Sequence, residues 1–112
     1  MLISGDVVTL DLGMPAGSEA GLYRPTVVVT AQRVLRAGPS VVHVVPLTTT
    51  MRDYESEVAI EPDPTNGLQR RSAAQSQHVR AVATSRIVDQ VGNVGPVVLG
   101  QIRDTIAVLL DL

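Results

Sequence analysis

The chain has 112 residues, which suits one domain with a modest core and leaves little room for two. It contains no cysteine, and that excludes a disulfide scaffold, an iron–sulfur cluster, a thiolate zinc site and a cysteine nucleophile. Hydrophobic residues make up 45% and charged residues 18%, so this is no disordered tail, and a net charge of -2 removes bulk basicity as a means of holding nucleic acid.

All nine basic residues are Arg, and Val dominates an apolar set without Phe or Trp, which favours pleated structure over helix. No apolar run reaches the roughly 20 residues of a membrane span. The stretch from Met1 to Asp6 has neither the basic nor the apolar region of a signal peptide, so a soluble, cytoplasmic domain is expected.

In chain order, Gly5 to Leu12 alternates, with Val8, Leu10 and Leu12 on one face and Val7, Thr9 and Asp11 on the other, as in a half-buried strand. Gly13 to Gly21 follows, with three glycines and a proline in nine residues, which reads as a loop of functional length. Pro25 to Thr30 is a second strand, apolar on both faces and therefore central. A turn at Arg36-Ala37-Gly38-Pro39 leads to a third strand, Val41 to Leu47, which ends in Thr48-Thr49-Thr50. Ser56 to Glu61 is a fourth strand, with Val58 and Ile60 inward and Glu57, Ala59 and Glu61 outward. After the Pro62 to Gly67 loop, Ala73 to Ala83 is a fifth strand of poor alternation. Thr84 or Ser85 caps a short turn running through Asp89. Gly95-Pro96 then starts a helix whose apolar stripe is Val98, Ile102, Ile106 and Leu109 or Leu110. Five short strands and one helix suggest a strongly bent sheet or partly open barrel, with the helix over a face or an edge.

Most enzyme motifs are missing: there is no Walker loop, nucleophile elbow, His-Glu-x-x-His or dinucleotide fingerprint. His43, within a valine strand, reads as a structural histidine. Asp53, Glu55 and Glu57 would share one face of an extended chain and could hold a hard cation, although acidic residues on an edge strand are the commoner reading. A different constellation joins two strand ends. Arg24 closes the glycine-rich loop, Thr48 and Thr49 end the third strand, and Arg52 follows. If those strands are neighbours, a guanidinium and two hydroxyls converge beside a loop rich in backbone donors, which suits a phosphate.

Gly5-Asp6-Val7-Val8, Gly17-Ser18-Glu19, Gly21 and Arg24-Pro25-Thr26-Val27-Val28-Val29 resemble the MazF/PemK/Kid family of toxin endoribonucleases. So do Val45-Pro46-Leu47-Thr48-Thr49, Asn66-Gly67-Leu68, His78-Val79-Arg80 and the closing helix, so the ordered set covers almost the whole chain. The resemblance implies a mainly β fold, a small SH3-like (MazF/CcdB-type) β-barrel of about five strands with a C-terminal helix. It also implies a homodimer that cuts single-stranded RNA without a metal or other cofactor, and a cognate antitoxin whose acidic or apolar tail lies in the substrate groove. The family's catalytic roles fall on Arg24 and Thr48. Ser18, Glu19, Tyr23, Thr49, His78 and Arg80 become candidate substrate contacts. Tyr23 stands where some relatives carry His, and His78 where relatives commonly carry Gln. Because a guanidinium loses its proton only above about pH 12, Arg24 is read as a charge stabiliser and the general base stays unassigned. A rival reading from another class is a non-catalytic toxin of the same fold that poisons a protein target, as CcdB does.

Overall fold

The computed structural model describes residues 1–18 and 22–112. Among them are seven strands: β1 (Asp6–Asp11), β2 (Tyr23–Val28), β3 (Val41–Thr48), β4 (Glu57–Ile60), β5 (Ser72–Gln75), β6 (Arg80–Ala83) and β7 (Ile87–Asn93). A four-residue helix α1 (Gln32–Leu35) follows β2, and α2 (Gly95–Leu110) closes the chain. The strands form one bent antiparallel sheet in the order β4-β5-β3-β2-β1-β7, and β6 also pairs with β3. The barrel does not close, since β4 and β7 end the ladder. No helix among the described residues is long and apolar enough to cross a membrane.

β3 is the hub. Its first half pairs with β6, through Val41↔Ala83 to Val44↔Arg80, and its end pairs with β5, through Leu47↔Ala74 and Thr48↔Ala73. Pro46, which has no N–H to donate, sits where β3 leaves one partner and takes up the other, so its missing donor interrupts neither ladder. On its other side β3 pairs with β2 through Thr26↔Pro46, Val27↔Val45 and Val28↔Val44.

The valine pairs explain the two-sided burial. Val7, Val27 and Val45 join Leu47, Ile60, Leu99 and Ile102 in a core under α2. Their neighbours Val8, Val28 and Val44 turn the other way, into a second core with Leu10, Leu12, Leu35, Val42 and Val82. β1 is therefore buried on both faces at Val7 and Val8, where alternation alone suggests a half-buried strand. In α2 the buried residues are Leu99 and Ile102, with Val98 and Ile106 packed at the core's margin, while Leu109 and Leu110 are exposed.

Two further differences from the sequence reading have simple causes. The stretch expected as one fifth strand is β5 and β6, broken by a 3₁₀ turn at Ser76–His78; all four residues of β5 are buried, which removes the alternation. β7 replaces the short turn expected through Asp89, of which only Thr84–Arg86 is a 3₁₀ turn. It lies at the sheet's edge and pairs with β1 across two register shifts, so its exposed and half-buried residues follow no period of two.

The Pro62 to Gly67 loop packs backbone to backbone against β7. Asp63 accepts from the backbone N–H of Thr65 and Asn66, and Asn66, itself buried, donates to the Glu61 carbonyl at 2.9 Å. A Cβ on Gly67, whose φ is +70°, would lie 2.4 Å from the Val91 carbonyl oxygen. Gly67→Ala is therefore expected to cost about 2 kcal/mol or more and to lower Tm by roughly 8 °C or more. Gly100→Ala, in α2, meets nothing within 4 Å and should raise stability by about 0.5–1 kcal/mol. Thermal melts of the two variants check the opposite signs.

Candidate active site

The register of β2 and β3, carried two residues beyond Thr26↔Pro46, sets Arg24 opposite Thr48. A polar cleft of about 330 Å3 opens there, lined by Tyr23, Arg24, Pro25, Leu47, Thr48, Thr49, Thr50 and Ser72. Thr48 Oγ1 accepts from the Thr50 N–H at 3.1 Å, which leaves its hydroxyl proton free to point into the cleft. Tyr23 begins β2 and is 68% exposed, so its ring forms a wall rather than a core element. A second cleft of about 280 Å3 continues past the shared Pro25, Thr49 and Ser72 to Leu68, Gln69 and Arg70.

Arg24 has no carboxylate partner among the described residues, whose ion pairs are Arg52–Glu57 and Arg71–Glu61. Its Nη1 donates instead to Oε1 of Gln75 at 3.3 Å, a neutral acceptor that orients the guanidinium without cancelling its charge. Behind Gln75 lies Glu57. Its side chain is 2% exposed, and its Oε2 accepts from Arg52 Nη2 at 2.7 Å, Gln77 Nε2 at 2.7 Å and Gln75 Nε2 at 3.5 Å. Burial pushes the Glu57 carboxyl up, but the hydrogen bonds from Gln77 and Arg52, the Arg52 charge and the Gln75 amide outweigh it and hold the group below its usual value. Arg52 also stacks on Tyr54, with its guanidinium carbon 4.9 Å from the ring centroid.

This geometry corrects three expectations. Glu57 lies on the face opposite Val58 and Ile60, as alternation expects, but its side chain is covered rather than exposed, because its cross-strand partner Gln75, with Gln77 and Arg52, closes over it at the start of β4. Asp53, Glu55 and Glu57 do not share a face: Asp53 has a φ of 56°, so the chain is not extended there, and the described residues contain no cluster of three His, Asp or Glu. His78 and Arg80 do not share one strand, since His78 ends the 3₁₀ turn and Arg80 begins β6.

Of the candidate residues, Arg24, Thr48, Thr49 and Tyr23 meet in one cleft. Ser18 is exposed in the glycine-rich loop, and Glu19 lies outside the described residues. His78 is half-buried and is not among the residues lining the Arg24 cleft. Arg80 lines a different, apolar groove with Val29, Val79, Ile106 and Leu110. His43 is exposed on β3 and lines that same groove. Sequence reasoning missed Ser72, Gln75 and Gln77, and read Glu57 only as one of an acidic trio. The glutamines carry no chemical signature of their own; the pairing of β4 with β5 brings Gln75 onto Glu57, and the 3₁₀ turn that follows β5 brings Gln77.

Residues 3–110 match the profile of the PemK-like, MazF-like toxins of type II toxin–antitoxin systems. The chain belongs to this family. It is 34% identical over 117 aligned positions to the endoribonuclease MazF9 of Mycobacterium tuberculosis (strain ATCC 25618 / H37Rv), covering 100% of this chain and 98% of that protein. The crystal structure of MazF from Deinococcus radiodurans superposes with a TM-score of 0.81 at 24% identity, covering 97% of this chain and 96% of that one. A mycobacterial endoribonuclease in complex with its cognate antitoxin superposes with a TM-score of 0.78 at 22% identity, over 100% and 97% of the two chains. The two structures share the fold: the mainly antiparallel sheet with a C-terminal helix is that of MazF-like toxins.

The lowered Glu57 pKa has a direct consequence for the toxin's stability. A depressed carboxyl contributes stability that is fully present above its unfolded value of about 4.5 and is lost as pH falls through the lower folded value. Melting temperatures followed through the acid range should fall more steeply for the wild type than for Glu57→Gln, which has no proton to take up.

Proposed function

We propose that this MazF-like toxin is an endoribonuclease that cuts single-stranded RNA at Arg24, and that an antitoxin silences it by covering the same cleft. The observation that carries the reading is a cation without a carboxylate partner among the described residues, beside two threonine hydroxyls in a polar cleft. Such a site attracts a phosphodiester and has donors to spare for the charge that builds during cleavage.

The reaction needs only the substrate's own nucleophile. The ribose 2′-OH attacks the adjacent phosphorus, the bond from phosphorus to O5′ breaks, and the proton from O2′ ends on O5′. The products are a 2′,3′-cyclic phosphate and a 5′-OH. Arg24 stabilises the extra negative charge on the non-bridging oxygens of the phosphorane, and the Thr48 hydroxyl adds a hydrogen bond to the same oxygens. Tyr23 offers its exposed ring to a flanking base, and Thr49 lines the passage to the second cleft. A chain with two tyrosines and no Phe or Trp has few stacking platforms, so guanidinium planes and backbone donors must share in holding the bases.

Purified protein incubated with a long single-stranded RNA in EDTA should give discrete cuts ending in 2′,3′-cyclic phosphate and 5′-OH. Arg24→Ala should abolish them while its circular dichroism spectrum stays that of the wild type, because the side chain stands at a loop–strand junction outside both cores. Thr48→Val should slow cleavage by about 10- to 1,000-fold, the range for loss of one transition-state donor. Cleavage by a folded Arg24→Ala protein at the wild-type rate would remove Arg24 from the mechanism. No cuts by the wild type on varied RNAs would favour a protein target.

A further inference from the structure

We infer that Glu57 is a positioning residue for Arg24, acting through the Gln75 amide; the inference rests on the reading of Arg24 as the cleavage site's charge stabiliser. The carboxylate has no substrate-facing surface, since its side chain is 2% exposed, so it cannot meet RNA itself. What it can do is set the sense of an amide. An ionised carboxylate only accepts hydrogen bonds, so Gln75 must turn its Nε2 toward Glu57 and its Oε1 toward Arg24. The opposite rotamer would set an NH2 against a guanidinium and a carbonyl against a carboxylate, two repulsive contacts in place of two bonds. The cross-strand pairing Glu57↔Gln75 holds the two side chains in register, and Arg52 and Gln77 hold Glu57 from the other side. Arg24 is thereby aimed by a chain of contacts that ends in a buried charge.

The arrangement separates two jobs that one carboxylate on Arg24 would confuse. A direct ion pair would fix the guanidinium firmly but would neutralise it and compete with phosphate. An interposed amide fixes it and leaves its charge for the ligand. The unused oxygen supports this assignment. Glu57 Oε1 is buried and bonds to nothing among the described residues, so the structural anchorage runs through Oε2 alone, the oxygen that faces Gln75. Glu57→Gln can therefore keep its single carbonyl oxygen in the place of Oε2 and lay its amide nitrogen where Oε1 stood.

The test is steady-state cleavage of a short single-stranded RNA by the full chain and its variants, with kcat and KM measured separately. Glu57→Ala and Gln75→Ala should each lower kcat by about 10- to 100-fold with KM within about twofold of wild type, since binding is kept and aim is lost. Glu57→Gln should recover most of the rate. In Gln75→Ala/Glu57→Ala the second substitution should add less than about threefold to the first, because both break one chain of contacts. Losses that multiply, or a folded Glu57→Ala with wild-type kcat, would overturn the inference while Arg24 keeps its role. If Glu57→Ala does not fold, Gln75→Ala and Glu57→Gln decide between the same two results. An Arg24→Ala variant that cleaves like the wild type would instead strike the reading beneath it.

Discussion

The pairing of β2 with β3 is the constraint on which the rest of this molecule depends. Three cross-strand pairs, Thr26↔Pro46, Val27↔Val45 and Val28↔Val44, hold the two central strands together and deliver Arg24 and Thr48 to the same end of the sheet. Strands apolar on both faces are poorly protected against a one-residue slip, since valine is welcome on either side. Pro46 supplies the missing specification, since a residue without an N–H fits best at the position where β3 changes partners. The buried Thr26 hydroxyl, which donates to the Val8 carbonyl at 3.3 Å, fixes β2 against β1 in the same way. A slip of β3 along β2 would set Arg24 against Thr49 or Leu47.

From that register the electrostatics follow. Two arginines near Glu57 have opposite fates: Arg52 takes the Glu57 carboxylate, and Arg24, among the described residues, takes the Gln75 amide. A buried carboxylate needs compensation, and three donors on one oxygen supply it. The neutral amide between Glu57 and Arg24 leaves a cation in the cleft whose charge no carboxylate among the described residues cancels. A chain with an overall charge of -2 can thus still present a local site for a polyanion.

Much of this was legible in the sequence, for physical reasons that differ by residue. The valine runs announced central strands because apolar residues on both faces have few other homes, and Gly95-Pro96 announced α2 because proline is preorganised for a first turn. Arg24, Thr48 and Thr49 were legible as a group because each stood at the end of a recognisable strand. β7 was not, because an edge strand paired across two register shifts carries no alternation. Nor was the covering of Glu57. Alternation about Val58 and Ile60 places it on the outer face, and only the tertiary closure of Arg52, Gln75 and Gln77 shields its side chain there. The family profile extends over residues 3–110, so the resemblance reached the whole fold while the anchor behind Arg24 stayed out of its sight.

The central claim is that Arg24 meets a non-bridging oxygen of the scissile phosphate as the phosphorane forms. It is tested most directly with the two phosphorothioate diastereomers of one RNA cleavage site, each with sulfur in place of one non-bridging oxygen. The wild type should cut one diastereomer about tenfold or more slowly than the other, because sulfur accepts a guanidinium's hydrogen bonds poorly. In Arg24→Lys, which lacks the two-pronged donor, that discrimination should shrink toward unity. Equal discrimination in both proteins would contradict the account, since it would place the selective contact on some other group.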